Sequence, residues 1–311
     1  MASNLHHWRP LGAGGVGLPV DAGIGRTILI TGASSGIGRA CALELARLGY
    51  RVLAGVRRDE DGDALSAAAA RRIEPIRLDV TNPGHIRDAA VRVEADGLHG
   101  LVNCAGCALC GPLELIPIQE FRQQLEVNVL GAAAVTQALL PAIRRSRGRI
   151  VNIGSVSGRV AAPFLGPYAA SKFALRAISD SLRVELAPWG TSVSLVEAAA
   201  VATGIWTRAS ERAEELAGSC SVEARRLYEP ALSSIPERAR RLSRKALPVD
   251  RAVRAVVHAL TAARPRARYY VGRYPGLLAI AELAPVWLRD RLIARMLPRY
   301  PQDEPQGKSA R

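Results

Sequence analysis

The stretch Thr31-Gly32-Ala33-Ser34-Ser35-Gly36-Ile37-Gly38 decides the fold of this 311-residue chain. It follows the apolar run Thr27 to Ile30, and apolar side chains after it recur with the spacing of a helix. The first glycine permits a tight turn, the second lets the backbone approach a pyrophosphate, and the third allows close packing of the helix. The free N–H groups where the helix begins favour an anion. The stretch therefore predicts a dinucleotide-binding turn between a strand and a helix.

Short apolar runs and helical runs alternate along the rest of the chain. We predict strands over 27–30, 52–56, 76–80, 100–103, 149–153, 192–196 and 267–271, and helices over 37–48, 63–73, 83–95, 121–145, 168–186 and 249–262. Continuously apolar strands that alternate with helices indicate a parallel sheet covered on both faces. The expected fold class is α/β, a doubly wound parallel sheet whose ligands bind outside the carboxyl ends of the strands.

We expect one domain with an arm, a lid and a tail. Residues 1–25 lack periodicity and predict a flexible arm, and residues 26–273 predict a single domain. Within that domain, residues 204–247 are charged and helix-prone, which predicts a helical lid. Residues 274–311 predict a C-terminal tail whose apolar helical segment is interrupted by Pro285.

The composition excludes a disordered chain and argues against base stacking. Apolar residues make up 49% of the chain and charged residues 23%, as in globular proteins. Aromatic residues make up only 5%, too few for a surface that stacks nucleic-acid bases. The net charge of +14 is scattered, so we favour an Arg-rich composition and no nucleic-acid partner. The alternative of DNA binding predicts a steep salt dependence.

The cysteines indicate a reducing compartment. Five is an odd count, and no signal peptide is recognisable, so we expect free thiols and a cytoplasmic protein. Cys104, Cys107 and Cys110 have the spacing of an iron–sulfur run, but no fourth cysteine lies nearby and Gly111-Pro112 follows. We therefore interpret them as small buried thiols and expect no metal site.

Four polar residues carry a pattern suited to acid–base chemistry. Tyr168 and Lys172 are four positions apart, which places them on one face of a helix. A free tyrosine has a pKa near ~10, and a neighbouring ammonium group favours the phenolate and lowers that pKa. Ser155 follows a predicted strand, where its hydroxyl can hold and polarise a substrate oxygen. Asn128 lies in the middle of a predicted helix, a position that amides disfavour.

The glycine turn and these four residues together resemble the short-chain dehydrogenase/reductase family, in its shorter-core branch, over about residues 27–271. The resemblance implies a Rossmann-type sheet and nicotinamide-dependent interconversion of alcohols and carbonyls. It also implies a catalytic tetrad of Asn128, Ser155, Tyr168 and Lys172, in which the Asn helps to hold a water for proton relay. The segments 166–172 and 202–206 are similar to those of retinol- and hydroxysteroid-type dehydrogenases, which implies a lipophilic, secondary alcohol or ketone as substrate.

The resemblance further implies a set of residues that contact the cofactor. These are Gly32, Ser34, Ser35, Gly36, Ile37, Gly38, Arg57, Arg58, Asp79, Val80, Asn103, Ala105, Gly106, Tyr168, Lys172 and Thr203. Asp79 and Val80 resemble a pair that contacts the adenine, and Thr203 matches a Thr that binds the nicotinamide carboxamide. Cys104 replaces the second Asn of the family's Asn-Asn-Ala-Gly stretch, which here is 103–106.

The end of the second predicted strand favours NADP. An acidic residue there would bind the ribose 2′-OH of NAD, whereas basic residues accept a 2′-phosphate. Arg57 and Arg58 follow Val56 with no acid at the turn, and guanidinium groups bind phosphate well. NAD remains the alternative, because the two arginines could equally be solvated loop charges.

The segment before Thr203 departs from the family. Ala198-Ala199 stands where relatives have Pro-Gly, and alanine neither fixes φ nor permits the close approach that glycine allows. This departure motivates a second hypothesis, a catalytically impaired regulator or scaffold that still binds the cofactor.

The apolar tail segment 277–288, followed by Arg289, Arg291 and Arg295, has three interpretations. It can be a lid that walls a lipophilic pocket, a segment that rests on an anionic membrane, or a surface packed against the core or a partner subunit. Peripheral membrane contact is therefore an alternative to a purely cytoplasmic location. The predicted helices 121–145 and 168–186 resemble those that form dimer and tetramer contacts in the family, which implies a homodimer or homotetramer.

Overall fold

The structure is a computed structural model that describes residues 23–68, 72–295 and 297. Seven parallel strands form one sheet in the order β3-β2-β1-β4-β5-β6-β7. Their bounds are β1 Thr27–Ile30, β2 Arg51–Val56, β3 Ile73–Arg77, β4 Gly100–Asn103, β5 Arg149–Ser155, β6 Ser192–Ala198 and β7 Arg268–Val271. The order reverses between β1 and β4, which opens a crevice at the carboxyl ends of these strands.

Helices cover both faces of the sheet. Their bounds are α1 Gly36–Arg47, α2 Asp59–Ala68, α3 Pro83–Glu94, α4 Ile118–Leu125, α5 Ala132–Arg145, α6 Gly166–Glu185, α7 Ile205–Gly218, α8 Val222–Leu227, α9 Glu229–Arg244, α10 Asp250–Thr261, α11 Pro275–Leu283 and α12 Val286–Ala294. The neighbours Ile28 and Leu29 on β1 belong to two different apolar clusters because side chains alternate across a strand. The first cluster packs α1 and α10 on one face, and the second packs α3 and α5 on the other. The predicted doubly wound α/β class is confirmed.

The third strand lies earlier in the sequence than predicted. β3 spans Ile73–Arg77 rather than 76–80, and α2 begins at Asp59 rather than at residue 63. Three acidic residues in the first turn of α2 favour its earlier beginning, because they stabilise a helix N-terminus. Pro75 is tolerated within β3 because this strand forms an edge of the sheet.

The helical run Ile118–Arg145 contains a distortion that the sequence did not indicate. Residues Glu126–Gly131 form a π-helical turn between α4 and α5. By length and composition this run is the one helix in the described residues that could cross a membrane, but half of its apolar window is buried. Val135, Leu139 and Ile143 pack into the core, as expected of a covering helix.

Helices α7 to α9 occupy the segment predicted as a lid, and α11 and α12 occupy the predicted tail on either side of Pro285. Of the predicted arm, residues 23–25 form a turn in which the Gly23 N–H donates to the carbonyl of Leu48, and residues 1–22 lie outside the described part of the chain. The last tail residues, from 298 onwards, also lie outside it. The division into arm, single domain, lid and tail stays a prediction.

Candidate active site

The glycine turn is packed so closely that side chains cannot replace its glycines. Gly32 has a φ of +65°, and a Cβ there would lie 2.7 Å from the Cα of Ala105. A Cβ on Gly38 would lie 2.3 Å from the carbonyl oxygen of Gly32. Gly36, with a φ of +55°, would bring a Cβ to 3.0 Å from the Cβ of Thr203. The turn therefore contacts both the segment after β4 and the segment after β6.

The first turn of α1 is suited to an anion. Ser35, its N-cap residue, makes no side-chain capping bond, and no acidic residue lies in the first turn. Thr31 Oγ1 accepts hydrogen bonds from the N–H groups of Cys104 and Ala105, both at 3.0 Å, which holds the predicted cofactor segment 103–106 beside the turn. Uncapped N–H groups beside bare glycine backbone fit the pyrophosphate of a dinucleotide.

Tyr168, Lys172 and Ser155 lie together at the carboxyl end of the sheet. Tyr168 and Lys172 share one face of α6 and are buried, and Ser155 is the last residue of β5. The Ser155 hydroxyl lies beside the Tyr168 phenol, where it acts to lower the pKa of that phenol. It also accepts from the N–H of Ser157 at 3.1 Å. Lys172 Nζ donates to the carbonyl of Ile153 at 2.9 Å.

Burial controls the pKa values of this cluster. Burial raises the pKa of Tyr168, and the neighbouring Ser155 hydroxyl only partly opposes it. Burial lowers the pKa of Lys172 to about 8. In the chain by itself the net effect on the pKa of Tyr168 is therefore upward, and its lowering by Lys172 together with a bound nicotinamide ring stays a prediction. Lys172 Nζ is directed at the Ile153 carbonyl and lies 5.7 Å from the centroid of the tyrosine ring.

Asn128 joins this cluster through backbone contacts. It is buried in the π-helical turn, where Oδ1 accepts from the Cys107 N–H at 2.9 Å. Its Nδ2 donates to the Cys107 carbonyl at 2.9 Å and to Ser171 Oγ at 3.0 Å. A Cβ on Gly106 would lie 3.3 Å from Asn128 Oδ1 and 3.9 Å from Lys172 Nζ. The structure thus brings all four predicted tetrad residues into one region, and the Asn128 side chain fixes the segment after β4.

The Asn103 side chain is buried and links neighbouring elements through hydrogen bonds. Its Nδ2 donates to Thr136 Oγ1 and to Asn152 Oδ1, both at 2.9 Å, and Asn152 Nδ2 donates to Ser179 Oγ at 2.8 Å. These bonds tie β4 to β5, α5 and α6. Asn103 Oδ1 is buried with no hydrogen-bond partner among the described residues.

The two arginines after β2 differ in their surroundings. Arg58 makes a two-bond ion pair with Asp61, with distances of 3.0 and 3.1 Å. Burial acts to raise the pKa of Asp79, but hydrogen bonds from Thr81 and the charge of Arg57 outweigh it and lower that pKa. Arg57 therefore lies near enough to Asp79 to act on its charge. The prediction that both guanidinium groups accept a 2′-phosphate stays a prediction.

Asp79 and Val80 follow β3 by two residues instead of ending it, because β3 ends at Arg77. Asp79 Oδ1 accepts from the N–H and the hydroxyl of Thr81, at 2.9 and 2.8 Å. Val80 is buried, and its side chain packs against Gly131.

Backbone hydrogen bonds hold the segment that departs from the family. Ala198 pairs with Ser155 across β5 and β6, and the Ala199 N–H donates to the Val271 carbonyl at 2.8 Å. The next residues, 200–202, are held by Leu247: its N–H donates to the Ala200 carbonyl at 2.9 Å, and its carbonyl accepts from the Ala202 N–H at 3.1 Å. Thr203 is thereby kept beside Gly36 without Pro-Gly.

Sequence reasoning missed several residues of this region. Trp206, near the beginning of α7, packs edge-on against the Tyr168 ring, with ring centroids 5.5 Å apart. Of the cysteines interpreted as buried, Cys110 is buried, Cys104 is half-buried and Cys107 is exposed beside Asn128. No spacing rule links these positions, because the contacts join segments distant in sequence.

Residues 26–214 match the family model described as short chain dehydrogenase. The chain therefore belongs to the short-chain dehydrogenase family, and it is an NAD(P)-dependent oxidoreductase acting between alcohols and carbonyls. The resemblance inferred from the sequence is confirmed, and the alternative of a non-catalytic scaffold is not favoured.

Individual relatives cover most of the chain. It is 37% identical over 290 residues to retinol dehydrogenase 5 of Mus musculus, covering 88% of this chain and 90% of that protein. It is 37% identical over 265 residues to 11-beta-hydroxysteroid dehydrogenase type 2 of Oryctolagus cuniculus, covering 81% of this chain and 65% of that protein. A short chain dehydrogenase of Burkholderia cenocepacia J2315 solved in complex with NADP superimposes with a TM-score of 0.67 at 27% identity, covering 89% and 99% of the two chains.

Proposed function

We propose that the enzyme interconverts a lipophilic secondary alcohol and its ketone, with Tyr168 as the group that exchanges the substrate proton. The observation that carries the proposal is that the Ser155 and Tyr168 hydroxyls lie side by side in a buried cluster with Lys172. A substrate oxygen placed between these hydroxyls would contact both. The nicotinamide, when bound, supplies or accepts the hydride.

Each residue has a distinct proposed role. Tyr168 donates the proton to the developing alkoxide in reduction and removes it in oxidation. Ser155 orients the substrate oxygen and polarises the carbonyl. Lys172 supplies positive charge that favours the phenolate and holds the nicotinamide ribose. Asn128 fixes the segment after β4. From there it supports the relay that carries the proton between Tyr168 and solvent.

The proposed substrate class rests on the wall around Tyr168. Trp206 covers one edge of its ring, and the inner face of α7 and α9 joins the cluster of Cys110, Ala209, Ala213 and Ile235. A substrate beside Tyr168 would meet the apolar ring of Trp206, on which a polar alcohol would lose hydrogen bonds. The retinol and hydroxysteroid names of the relatives support a lipophilic alcohol, and the hydroxysteroid name supports a secondary one.

We propose NADP as the preferred cofactor, bound by the glycine turn and by the segments that end at Val80, Gly106 and Thr203. Arg57 is exposed directly after β2, and its charge acts on Asp79. Among the described residues it has no carboxylate partner like the one that Asp61 gives Arg58, so we expect it to pair with the 2′-phosphate first. Use of NAD is the outcome that would overturn this preference.

We propose that copies of the chain associate through α4 and α6. Large apolar side chains on these helices are exposed, with Ile118 and Val184 at 65% and 70%. A second copy of the chain would bury them. Measuring the mass in solution by light scattering tests the expected homodimer or homotetramer, and a monomer would contradict it.

We further propose a cytoplasmic location with peripheral contact of the tail to an anionic membrane. Leu283 and Trp287 are exposed at 81% and 67%, and Arg289 and Arg291 lie on the same tail. Such a segment suits the lipid–water interface. Co-sedimentation with phosphatidylserine vesicles tests the contact, and equal recovery with phosphatidylcholine vesicles or none would contradict the charge contribution.

The central experiment is a turnover panel. The purified protein is assayed with all-trans-retinol, with a hydroxysteroid and with gluconate as a polar secondary alcohol, using NADP⁺ or NAD⁺, while the reduced nicotinamide is followed by absorbance. We expect turnover of the hydroxysteroid, the lipophilic secondary alcohol, with NADP⁺ and none of gluconate; turnover of retinol alone would favour a primary alcohol instead. Turnover of gluconate alone would contradict the substrate class. Cofactor binding without turnover of any member would contradict the proposed function.

A further inference from the structure

Glu282, in the tail helix α11, bridges two arginines of the catalytic region. Its carboxylate pairs with Arg159 at 2.7 Å and with Arg176 at 2.6 Å. Arg159 is buried and also pairs with Glu197 of β6, whose side chain is 1% exposed. The four residues form a charge-balanced network that joins the tail to β6, to α6 and to the loop after β5.

Both arginines hold the turn that carries Ser155. This turn, Val156–Gly158, follows Ser155 directly and is capped by its hydroxyl. Arg159 is the next residue, and Arg176 donates to the Gly158 carbonyl at 3.3 Å. A Cβ on Gly158 would lie 2.7 Å from the carbonyl oxygen of Lys172, so the turn lies directly against α6.

Charge explains why the carboxylate of Glu282 matters. Arg159 is largely removed from water, and a buried charge is stable only when it is paired. Arg159 and Arg176 also repel each other where they meet around Gly158. One carboxylate between them removes this repulsion and pulls the turn and α6 together.

We propose that Glu282 is a positioning residue: the tail helix fixes the turn after Ser155 against α6 and so sets the distance between the Ser155 and Tyr168 hydroxyls. The inference rests on the proposed roles of these two hydroxyls. It makes the tail a part of the catalytic unit, so that undocking α11 loosens the oxygen-binding end of the site. Any contact that pulls α11 away from Arg159 and Arg176 would then lower turnover.

The first test is kinetic and uses the full chain. Glu282→Ala is expected to lower kcat about tenfold, because small misplacements of reacting groups have large effects on rate. Glu282→Gln, which keeps the shape, is expected to have a smaller effect. Asp290→Ala on α12 is the matched control, since Asp290 is exposed and lies 4.0 Å from its nearest paired cation, Arg289. Wild-type kcat in Glu282→Ala would overturn the inference.

A double-mutant cycle separates positioning from general loss of structure. If Glu282 acts through Ser155, Glu282→Ala causes no further loss of kcat in a Ser155→Ala background. A full additional tenfold loss in that background would overturn the inference.

Hydrogen exchange provides a readout that needs no substrate. The Ser157 amide, bonded to Ser155 Oγ, is expected to exchange about tenfold faster in Glu282→Ala than in the wild type and to be unchanged in Asp290→Ala. Unchanged exchange in Glu282→Ala would overturn the inference. If the wild-type chain turns over no alcohol, the proposed function fails while the exchange experiment still decides the positioning of the turn.

Discussion

The two ends of the site are fixed by different means. At the glycine turn, backbone lies against backbone, and Gly32 and Gly38 leave no room for a Cβ beside Ala105 and the turn itself. At the β6 end the site is fixed by ion pairs. Glu197 and Glu282 both pair with Arg159, which directly follows the turn after Ser155. The glycine turn needs residues without side chains at its closest contacts. The β6 end needs the four charged side chains of its ion-pair network.

The difference explains how the chain tolerates Ala198-Ala199 in place of Pro-Gly. Pro and Gly shape a segment through their own backbone preferences. Here Ala198 continues the strand beside Ser155, and the neighbouring Glu197 anchors β6 through Arg159. The ion pair of Glu197 with Arg159 thus holds β6 next to a segment whose alanines add no backbone constraint of their own.

The largest expected effect is on turnover and concerns Tyr168, which lies between the two ends of the site. Tyr168→Phe should lower kcat about 10³-fold, because general acid–base groups contribute in this range. Cofactor affinity, measured by NADPH fluorescence titration, should be unchanged, since the glycine turn is intact. Undiminished turnover would show that the two ends converge on a different group.

Lys172→Met tests the burial of charge at this centre. The pKa of Lys172 is about 8 in the folded chain and 10.5 in its ordinary state, so between these values the unfolded chain holds more protons. The free energy of unfolding of the wild type should therefore rise with pH relative to the variant, by on the order of 3 kcal/mol from pH 8 to 10.5. Urea unfolding at several pH values measures it. A constant difference would contradict the lowered pKa.

The charged end is tested by Glu197→Ala. Removing one partner of a buried pair should lower the free energy of unfolding by about 3 kcal/mol. The control Glu237→Ala removes the exposed partner of Arg244 and should change it by at most ~1 kcal/mol. Equal effects of the two variants would remove the distinction between the ends.

The backbone end is tested by Gly32→Ala. Its positive φ and the contact with Ala105 should lower the free energy of unfolding by about 2 kcal/mol. In the lid, Gly218→Ala meets no atom within 4 Å, so stability should be unchanged or slightly raised. Thermal unfolding of both variants compares them, and a stable Gly32→Ala would contradict the close packing of the turn.

The smallest effect concerns cofactor choice. Arg57→Ala should raise KM for NADP⁺ about tenfold, because a charged hydrogen bond to phosphate is lost, and leave KM for NAD⁺ unchanged. Arg58→Ala should have less effect, since Arg58 already pairs with Asp61. A larger effect of Arg58→Ala would reverse the assignment.

Local patterns predicted the sheet and the composition of the site. Apolar runs located β1, β4 and the amino-terminal parts of β5 and β6 because buried parallel strands are apolar on both faces. The family spacing also anticipated that Asn128, Ser155, Tyr168 and Lys172 would share one region. Edge strand β3 was misplaced, since half-buried strands carry a weaker pattern.

Other features depend on contacts between distant segments. The π-helical turn contains Asn128, whose amide bonds to Cys107, twenty-one residues earlier in the chain. The pairing of Arg58 with Asp61 depends on where α2 begins. The network of Arg159 joins residues up to 123 positions apart, beyond the reach of any periodicity.

The outer edge of the sheet limits how molecules of this protein aggregate. The carbonyl of Arg72 and the N–H of Leu78 bond to β2. Backbone groups alternate in direction along a strand, so those of residues 73, 75 and 77, including Pro75, point away from β2. A strand from another molecule that added to this edge would meet a position without an N–H donor. Addition of a strand at β3 would therefore lose one hydrogen bond of the ladder at Pro75.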